Sequence, residues 1–323
     1  MKSAVSELTG IPVESLSVNQ AERLAKLGAE LKKLVVGQDE AVEAMERSLK
    51  RLYARIGSVR RPAGTFMFIG PTGVGKTHCA KMLAKVLLGS EERYLRLDMA
   101  AFNQEHTIST LLGSPPGYVG YGSGGTLVNY VRENPVSVIV FDELEKAHPK
   151  VQNVLLQAMD NAMIEDLAGN KASLSQSYII ATSNIGAMEA EKNQVGFVRD
   201  VNRKSDTMRR EAKNNFPPEL LARFDSIITF RELSTEDLER IAAMEIEKLV
   251  EAVNREHSGR SLAVSDKVAR HVVEKSEEKH ARSLLRVIRN DVEMAIADWL
   301  IEGGKKGILD VKKDEIVVRE RRK

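Results

Sequence analysis

The sequence has one cysteine, few aromatic residues and almost no net charge. Cys79 alone cannot form a disulfide framework or a multi-cysteine zinc site, so both are excluded. Aromatic residues make up 5% of the 323 residues, which argues against a base-stacking platform for single-stranded nucleic acid. The 48 basic and 46 acidic residues give a net charge of +2, which provides no overall attraction to nucleic acid or membrane. We therefore expect no nucleic acid and no membrane among the partners.

Long apolar runs are also missing. No stretch of 18 apolar residues occurs, so no membrane-spanning helix is expected. Residues 1–7 lack the apolar core of a signal peptide. Together with the low cysteine content, which is consistent with a reducing compartment, these features predict a cytoplasmic location.

Short apolar runs alternate with helical patterns through the middle of the chain. Five runs are predicted to be strands, at residues 65–69, 94–98, 136–141, 178–182 and 226–230. The helices predicted between them cover residues 76–88, 125–133 and 150–161. Buried strands that alternate with helices are typical of an α/β fold with a parallel sheet covered on both faces.

The segments on either side of this region are helical in pattern. Before it, we predict one helix from the spacing of Leu24, Leu27, Leu31 and Leu34, and a second at 38–56. After it, we predict helices at 235–257, 265–278 and 281–302, and a terminal β-hairpin at 308–311 and 315–318. Polar residues 187–215 are expected to form a loop or a frayed helix. The predicted divisions are a lead-in at 1–34, a large domain at 35–230 and a small, mostly helical domain at 231–323.

A phosphate-binding motif follows the first predicted strand. It matches G-x-x-x-x-G-K-[ST] with Gly70, Pro71, Thr72, Gly73, Val74, Gly75, Lys76 and Thr77. Its backbone N–H groups and the start of the following helix attract phosphate oxygens. Lys76 would add a charge at the outer phosphates, and the Thr77 hydroxyl would bind Mg²⁺. The motif therefore predicts ATP and Mg²⁺ as cofactors.

Two acids end the third predicted strand. Asp142 is expected to hold the Mg²⁺ shell, and Glu143 to orient and deprotonate a water molecule. An Asp-Glu pair at a strand end can also simply cap the next helix. Because the phosphate motif is present, we interpret the pair as the catalytic half of an ATPase.

At this point the sequence resembles the AAA+ superfamily and, within it, the Clp unfoldases. The resemblance rests on segments that occur in the family's order between about residues 5 and 318: 113–122, 143–149, 182–184, 216–225 and 280–282. It implies an AAA+ P-loop αβα sandwich followed by the small domain. Because residues 8–13 resemble the linker between the two ATPase modules of tandem members, the chain looks like the second, C-terminal module of the ClpA or ClpC type.

The resemblance also implies roles for individual residues. Asn184 would contact the attacking water or the γ-phosphate, and Arg282 would sense the γ-phosphate from the small domain. Arg223 would act in trans on a neighbour's ATP, which requires a homo-hexameric ring. Val36 falls in a segment that contacts adenine in the family, although packing against the core is an equally good interpretation.

Two further segments imply the substrate and a partner. Tyr118 and Val119 resemble the pore loop that grips unfolded or tagged protein substrates; alone, the tyrosine would more often be a core residue. Val195, Gly196 and Phe197 stand where the ClpA and ClpC types carry a tip that docks on the Clp peptidase, and where the ClpB type has none. The same segment could instead fold back on its own domain.

The resemblance therefore predicts an ATP-dependent unfoldase that threads polypeptides through a hexamer and feeds a Clp peptidase. A ClpB-like disaggregase without a peptidase partner is the main alternative. An AAA+ nucleic-acid motor or clamp loader would need basic stripes, which the charge balance disfavours. An ATP-binding scaffold without activity is disfavoured by the Asp142-Glu143 pair.

Overall fold

The computed structural model describes residues 20–54, 61–113, 124–187, 201–257 and 259–320. They form two compact units. The first takes its described residues from 1–71 and 75–231, and the second from 72–74 and 232–323. Within the described residues, none of the helices has both the length and the apolar character that crossing a bilayer demands.

A five-stranded parallel sheet forms the centre of the first unit, as the sequence predicts. Its order is β2-β3-β6-β1-β7. The strands are β1 (Gly64–Ile69), β2 (Tyr94–Asp98), β3 (Val138–Asp142), β6 (Tyr178–Ser183) and β7 (Ser226–Thr229). Every residue of β1 and β3 is buried, so the sheet is covered on both faces. The strand bounds lie within two residues of the predicted ones.

The sheet register brings the ends of the strands together at one edge. Ile69, the last residue of β1, is paired with Ser183 of β6 and with Thr229 of β7. Asp98 of β2 is paired with Asp142 of β3. Residues that directly follow β1, β3 and β6 therefore converge at the carboxyl edge, where open α/β sheets bind ligands.

Helices connect and cover these strands. They are α1 (Gln20–Leu34), α2 (Asp39–Tyr53), α3 (Lys76–Leu83), α4 (Ile108–Leu112), α5 (Thr126–Glu133), α6 (Pro149–Asn161), α7 (Val201–Asn215) and α8 (Pro218–Leu221). The helix predicted at 76–88 is α-helical only in α3 and continues as a π-helical turn, Ala84–Leu88. Leu24, Leu27 and Leu31 are buried on one face of α1, as their spacing predicts.

Three features of the first unit were not predicted. A short antiparallel hairpin joins β4 (Met163–Glu165) and β5 (Lys171–Ser173), and α4 has too few residues to give a periodic pattern. The segment expected to be a loop or frayed helix contains the regular helix α7. Its apolar residues Met208 and Ala212 are buried, although the segment is polar overall. Residues 188–200 lie outside the described part.

The second unit is mostly helical, as expected. Its helices are α9 (Thr235–Glu256), α10 (Lys267–Lys275), α11 (Ala281–Val287) and α12 (Glu293–Ile301), with a π-helical turn at Ile288–Val292. The terminal hairpin pairs β9 (Lys306–Lys312) with β10 (Glu315–Glu320), over longer strands than predicted. The expected two-stranded sheet is in fact three-stranded, because β8 (Ser261–Val264) pairs in parallel with β9.

Candidate active site

The phosphate motif forms the turn between β1 and α3. Gly70 has φ 156°, and a Cβ atom there would lie 2.6 Å from the Phe230 carbonyl oxygen, so no larger residue fits. Gly75 has φ 99° and immediately precedes the first residue of α3. The loop places the amino end of α3, with its positive helix dipole, at the carboxyl edge of the sheet.

The Lys76 side chain lies beneath this loop and is buried. Its Nζ donates hydrogen bonds to the Gly70 and Pro71 carbonyl oxygens and to Asn184 Oδ1, each at 2.7 Å. The ammonium group is therefore already surrounded by oxygen acceptors. A phosphate oxygen could take the place of one of them without Lys76 leaving the site.

Asp142 is the buried acid at the end of β3. Its Oδ1 accepts hydrogen bonds from Thr182 Oγ1 at 2.5 Å and from Thr77 Oγ1 at 3.0 Å. Its Oδ2 accepts from Arg96 Nε at 2.7 Å, and Arg96 Nη2 lies 2.6 Å away. Burial alone would raise the Asp142 pKa, but these bonds from Thr182, Arg96 and Thr77 lower it on balance. The carboxylate is therefore ionised at neutral pH.

Thr77 and Asp142 present oxygen atoms that suit Mg²⁺. Mg²⁺ prefers oxygen ligands and is usually held by one or two protein groups together with substrate phosphates and water. The Thr77 hydroxyl and the Asp142 carboxylate already lie within hydrogen-bond distance of each other. Within the described ranges, no cluster of three or more His, Cys, Asp or Glu residues could hold a metal alone. The Thr77 and Asp142 oxygens therefore fit a Mg²⁺ ion that would take its other ligands from phosphates and water.

Glu143 has a left-handed backbone conformation, with φ 58° and ψ 53°. Such angles are uncommon outside glycine and often occur at functional sites. Its backbone N–H donates to Thr182 Oγ1 at 2.9 Å. Its carboxylate contacts Lys146 Nζ at 2.7 Å and accepts from Asn184 Nδ2 at 3.1 Å. The Lys146 contact is the main reason that the Glu143 pKa is lowered.

Asn184 joins the phosphate loop to the acids. It follows β6, and its side chain accepts from Lys76 through Oδ1 while donating to Glu143 through Nδ2. Its backbone N–H donates to Glu145 Oε1 at 3.0 Å. Lys76, Glu143 and Asn184 are thus brought together as one hydrogen-bonded group.

Sequence reasoning missed three residues whose side chains contact Asp142 or Glu143. Arg96 lies in the middle of β2, and nothing in its motif context marks it. Lys146 and Thr182 belong to segments that carry the family resemblance, yet the sequence suggests no role for either. No signal marks Arg96 either, because it is an exposed residue in a strand of mixed polarity.

Arg223 contacts a different set of residues. It follows α8, and its Nε lies 2.5 Å from Asp160 Oδ1 of α6. Its backbone carbonyl accepts a hydrogen bond from Thr65 Oγ1 at 2.8 Å. Within the described residues, these contacts do not join it to the group around Lys76.

Some of the remaining predicted residues lie within the described part of the chain, and the others lie outside it. Val36 is buried in the turn between α1 and α2, and Arg282 is exposed near the start of α11. Thr72, Gly73 and Val74 complete the phosphate loop. Outside the described residues lie the pore-loop and docking predictions, Tyr118, Val119, Val195, Gly196 and Phe197.

Two protein-family comparisons match successive parts of the chain. Residues 61–227 match the AAA domain of the Cdc48 subfamily. Residues 233–312 match the C-terminal, D2-small domain of ClpB protein.

Curated relatives match nearly the whole chain. The ATP-dependent Clp protease ATP-binding subunit ClpC of Staphylococcus epidermidis is 38% identical over 305 residues, which cover 92% of this chain and 37% of the relative. The protein of the same name from Staphylococcus aureus strain USA300 is 38% identical over 314 residues, covering 94% of this chain and 38% of the relative. The chain therefore spans less than two fifths of the relatives that it matches.

Proposed function

Since the chain belongs to the AAA domain family and continues into a D2-small domain of the ClpB type, we propose that it is the ATP-hydrolysing module of a protein unfoldase. One observation carries the hydrolytic part of the proposal. The Asn184 amide bridges the lysine of the phosphate loop and the acid that follows β3. A site for binding alone would not need an ionised carboxylate aligned in this way with a phosphate-binding lysine.

The described residues divide the chemistry between them. Lys76 and the loop N–H groups bind the outer phosphates of ATP. Thr77 and Asp142 hold Mg²⁺, which neutralises charge on the phosphates when bound. Glu143 orients a water molecule and accepts its proton, and Asn184 keeps the Glu143 carboxylate in place. Since no covalent intermediate is needed, catalysis rests on positioning and electrostatics.

The proposal includes assembly. Arg223 completes the site of a neighbouring subunit, where a guanidinium stabilises charge on the transferred phosphoryl group. Arg282 senses the γ-phosphate, and Val36 contacts adenine. A homo-hexameric ring is the assembly that supplies a neighbour to every subunit.

Substrate and partner form the finer part of the proposal. Tyr118 and Val119 grip an unfolded or tagged polypeptide in the ring, and Val195, Gly196 and Phe197 dock on a Clp peptidase in the cytosol. The relatives' name, ATP-binding subunit of a Clp protease, supports this choice over a ClpB-like disaggregase. The small-domain match to ClpB keeps the disaggregase as the second candidate.

A test of hydrolysis uses Glu143→Gln. The variant should bind ATP but release phosphate at least about 100-fold more slowly, because the proton acceptor is gone. Glu105→Gln is a matched control, since Glu105 pairs with Lys150 at the exposed surface. Phosphate release by Glu143→Gln at the wild-type rate would contradict the proposed role.

Assembly and docking are tested by light scattering of Glu143→Gln with ATP. A ring whose mass rises with Clp peptidase, and no longer rises when Val195 and Phe197 are both serine, supports the degradation role. A ring that ignores the peptidase favours the disaggregase. A chain that stays monomeric with ATP would overturn the idea that it forms the ring by itself.

A further inference from the structure

The Arg223 side chain contacts an acid at its Nε edge. Its Nε atom is buried, makes no hydrogen bond within the described residues, and lies 2.5 Å from Asp160 Oδ1 in an ion pair. About a third of the Arg223 side chain is nevertheless exposed, at 35%. Because the Nε atom itself is buried, this exposure belongs to other atoms of the side chain. Asp160 thus contacts the inner edge of the guanidinium group.

The backbone beneath this side chain is also fixed. Thr65 Oγ1 donates to the Arg223 carbonyl oxygen at 2.8 Å and contacts Asp225 Oδ2 at the same distance. Asp225 Oδ2 also accepts the Thr65 backbone N–H at 2.9 Å. Thr65 is buried in β1, the strand that runs directly into the phosphate loop. The base of Arg223 is therefore attached to the strand of its own nucleotide site.

The stability of α6 does not explain why an aspartate stands at position 160. It is the penultimate residue of α6, whose last turn contains no basic residue. A carboxylate there opposes the helix dipole, which favours positive charge at a carboxyl end. An ion pair between two side chains that are each about a third exposed also contributes little to folding.

We propose that Asp160 is a positioning residue for Arg223, an inference that rests on the proposed action of Arg223 on a neighbour's ATP. The Asp160 carboxylate lies against Nε and, through this ion pair, keeps the inner edge of the guanidinium group at the end of α6. The two Nη groups at its tip then have the fork geometry that recognises phosphate oxygens. The ion pair orients the arginine without occupying the atoms that bind the γ-phosphate.

The test is a double-mutant cycle in assembled rings. Asp160→Ala should lower kcat for ATP about tenfold with an unchanged KM, because Arg223 acts in the transition state. Asp160→Asn keeps the side-chain volume beside Nε but removes the negative charge, and should give an intermediate kcat. In an Arg223→Ala background, Asp160→Ala should cause no further loss. Glu91→Ala is the control, since Glu91 is also 37% exposed and pairs with Lys81 and Lys85.

Each other outcome has a distinct meaning. The inference is overturned if Asp160→Ala keeps the wild-type kcat, or if it lowers kcat equally with and without Arg223. It is also overturned if Asp160→Ala melts well below the wild type or fails to assemble, because Asp160 would then be structural. An Arg223→Ala ring with wild-type kcat would instead refute the proposed trans role itself.

Discussion

Lys146 Nζ lies 2.7 Å from Glu143 Oε2, three residues along the chain and across a single 3-10 turn. The contact is between a half-exposed lysine and an acid that is about a quarter exposed. It is the largest of the interactions that lower the Glu143 pKa, and it raises the Lys146 pKa in return. The proposed base is therefore kept ionised by its own neighbour.

Replacing Lys146 with methionine should change how ATP hydrolysis depends on pH. A base with a lowered pKa stays ionised down to low pH, so activity is lost only as pH falls through that lowered pKa. Without Lys146 the Glu143 pKa rises, and the acidic limb of kcat moves to higher pH. The measurement is kcat at saturating MgATP from about pH 4 to pH 7, a window that reaches below the ordinary glutamate pKa of 4.5. Lys150→Met, which removes a lysine that pairs with Glu105, should leave the limb in place.

The effects of replacing Arg96 and Asp142 on the free energy of unfolding should be strongly coupled. Asp142 is buried, and losing Arg96 leaves its charge without its cationic partner. Because Arg96 is half exposed, solvent screens part of the effect. We expect Arg96→Ala to destabilise the nucleotide-free protein by about 1–2 kcal/mol. In an Asp142→Asn background the loss should fall to a few tenths of a kcal/mol. Equal losses in both backgrounds, measured by urea unfolding, would contradict the coupling.

Thr65, which is buried, and Thr229, which is half-buried, offer a matched test of the Thr65 contacts. The Thr65 hydroxyl bonds to the Arg223 carbonyl and to Asp225, whereas the Thr229 hydroxyl has no hydrogen-bond partner within the described residues. Thr65→Val should lower the free energy of unfolding by about 1–3 kcal/mol, because it leaves buried polar groups unpaired. Thr229→Val should be neutral or stabilising, since it removes an unpaired hydroxyl. If both variants lost a similar amount of unfolding free energy, the Thr65 hydrogen bonds would not contribute to stability.

Cys79 should make the protein sensitive to alkali. It is fully buried in α3, and desolvation raises the pKa of its thiol from 9.0 to about 12. The folded thiol stays neutral while the unfolded one ionises, so stability is lost as pH rises above about 9. At pH 10.5 the loss from this group is about 2 kcal/mol. Between pH 8 and pH 10.5, the melting temperature of Cys79→Ala should therefore fall less than that of the wild type. If the melting temperatures of the two proteins fell equally with pH, the proposed role of the thiol would be contradicted.

The sheet was predictable because its strands are short runs of buried apolar residues. Parallel strands buried on both faces have this pattern, and residues 65–69 and 136–141 have it clearly. The strand β8 was missed because only four residues pair, next to a helix that dominates the local pattern. The π-helical turns were missed because their apolar spacing differs too little from that of an α-helix.

The candidate site was predictable where the motif fixes the backbone. The phosphate loop and the two acids stand at strand ends, so their convergence follows from parallel topology. The contacts of Arg96 and Lys146 depend on side-chain directions that a sequence pattern does not contain. Tyr118, Val119, Val195, Gly196 and Phe197 lie outside the described residues and stay predictions.

The sheet order described above makes this site a late product of folding. Lys76 and Asn184 are 108 residues apart, Thr77 and Asp142 are 65 apart, and Thr65 and Asp225 are 160 apart. Contacts between such distant residues form only after long loops have closed, which slows folding. During synthesis, a ribosome would have to release the chain past β6 and Asn184 before the group around Lys76 could be complete. A nascent or truncated chain thus has the phosphate-binding sequence long before it has a site that can hydrolyse ATP.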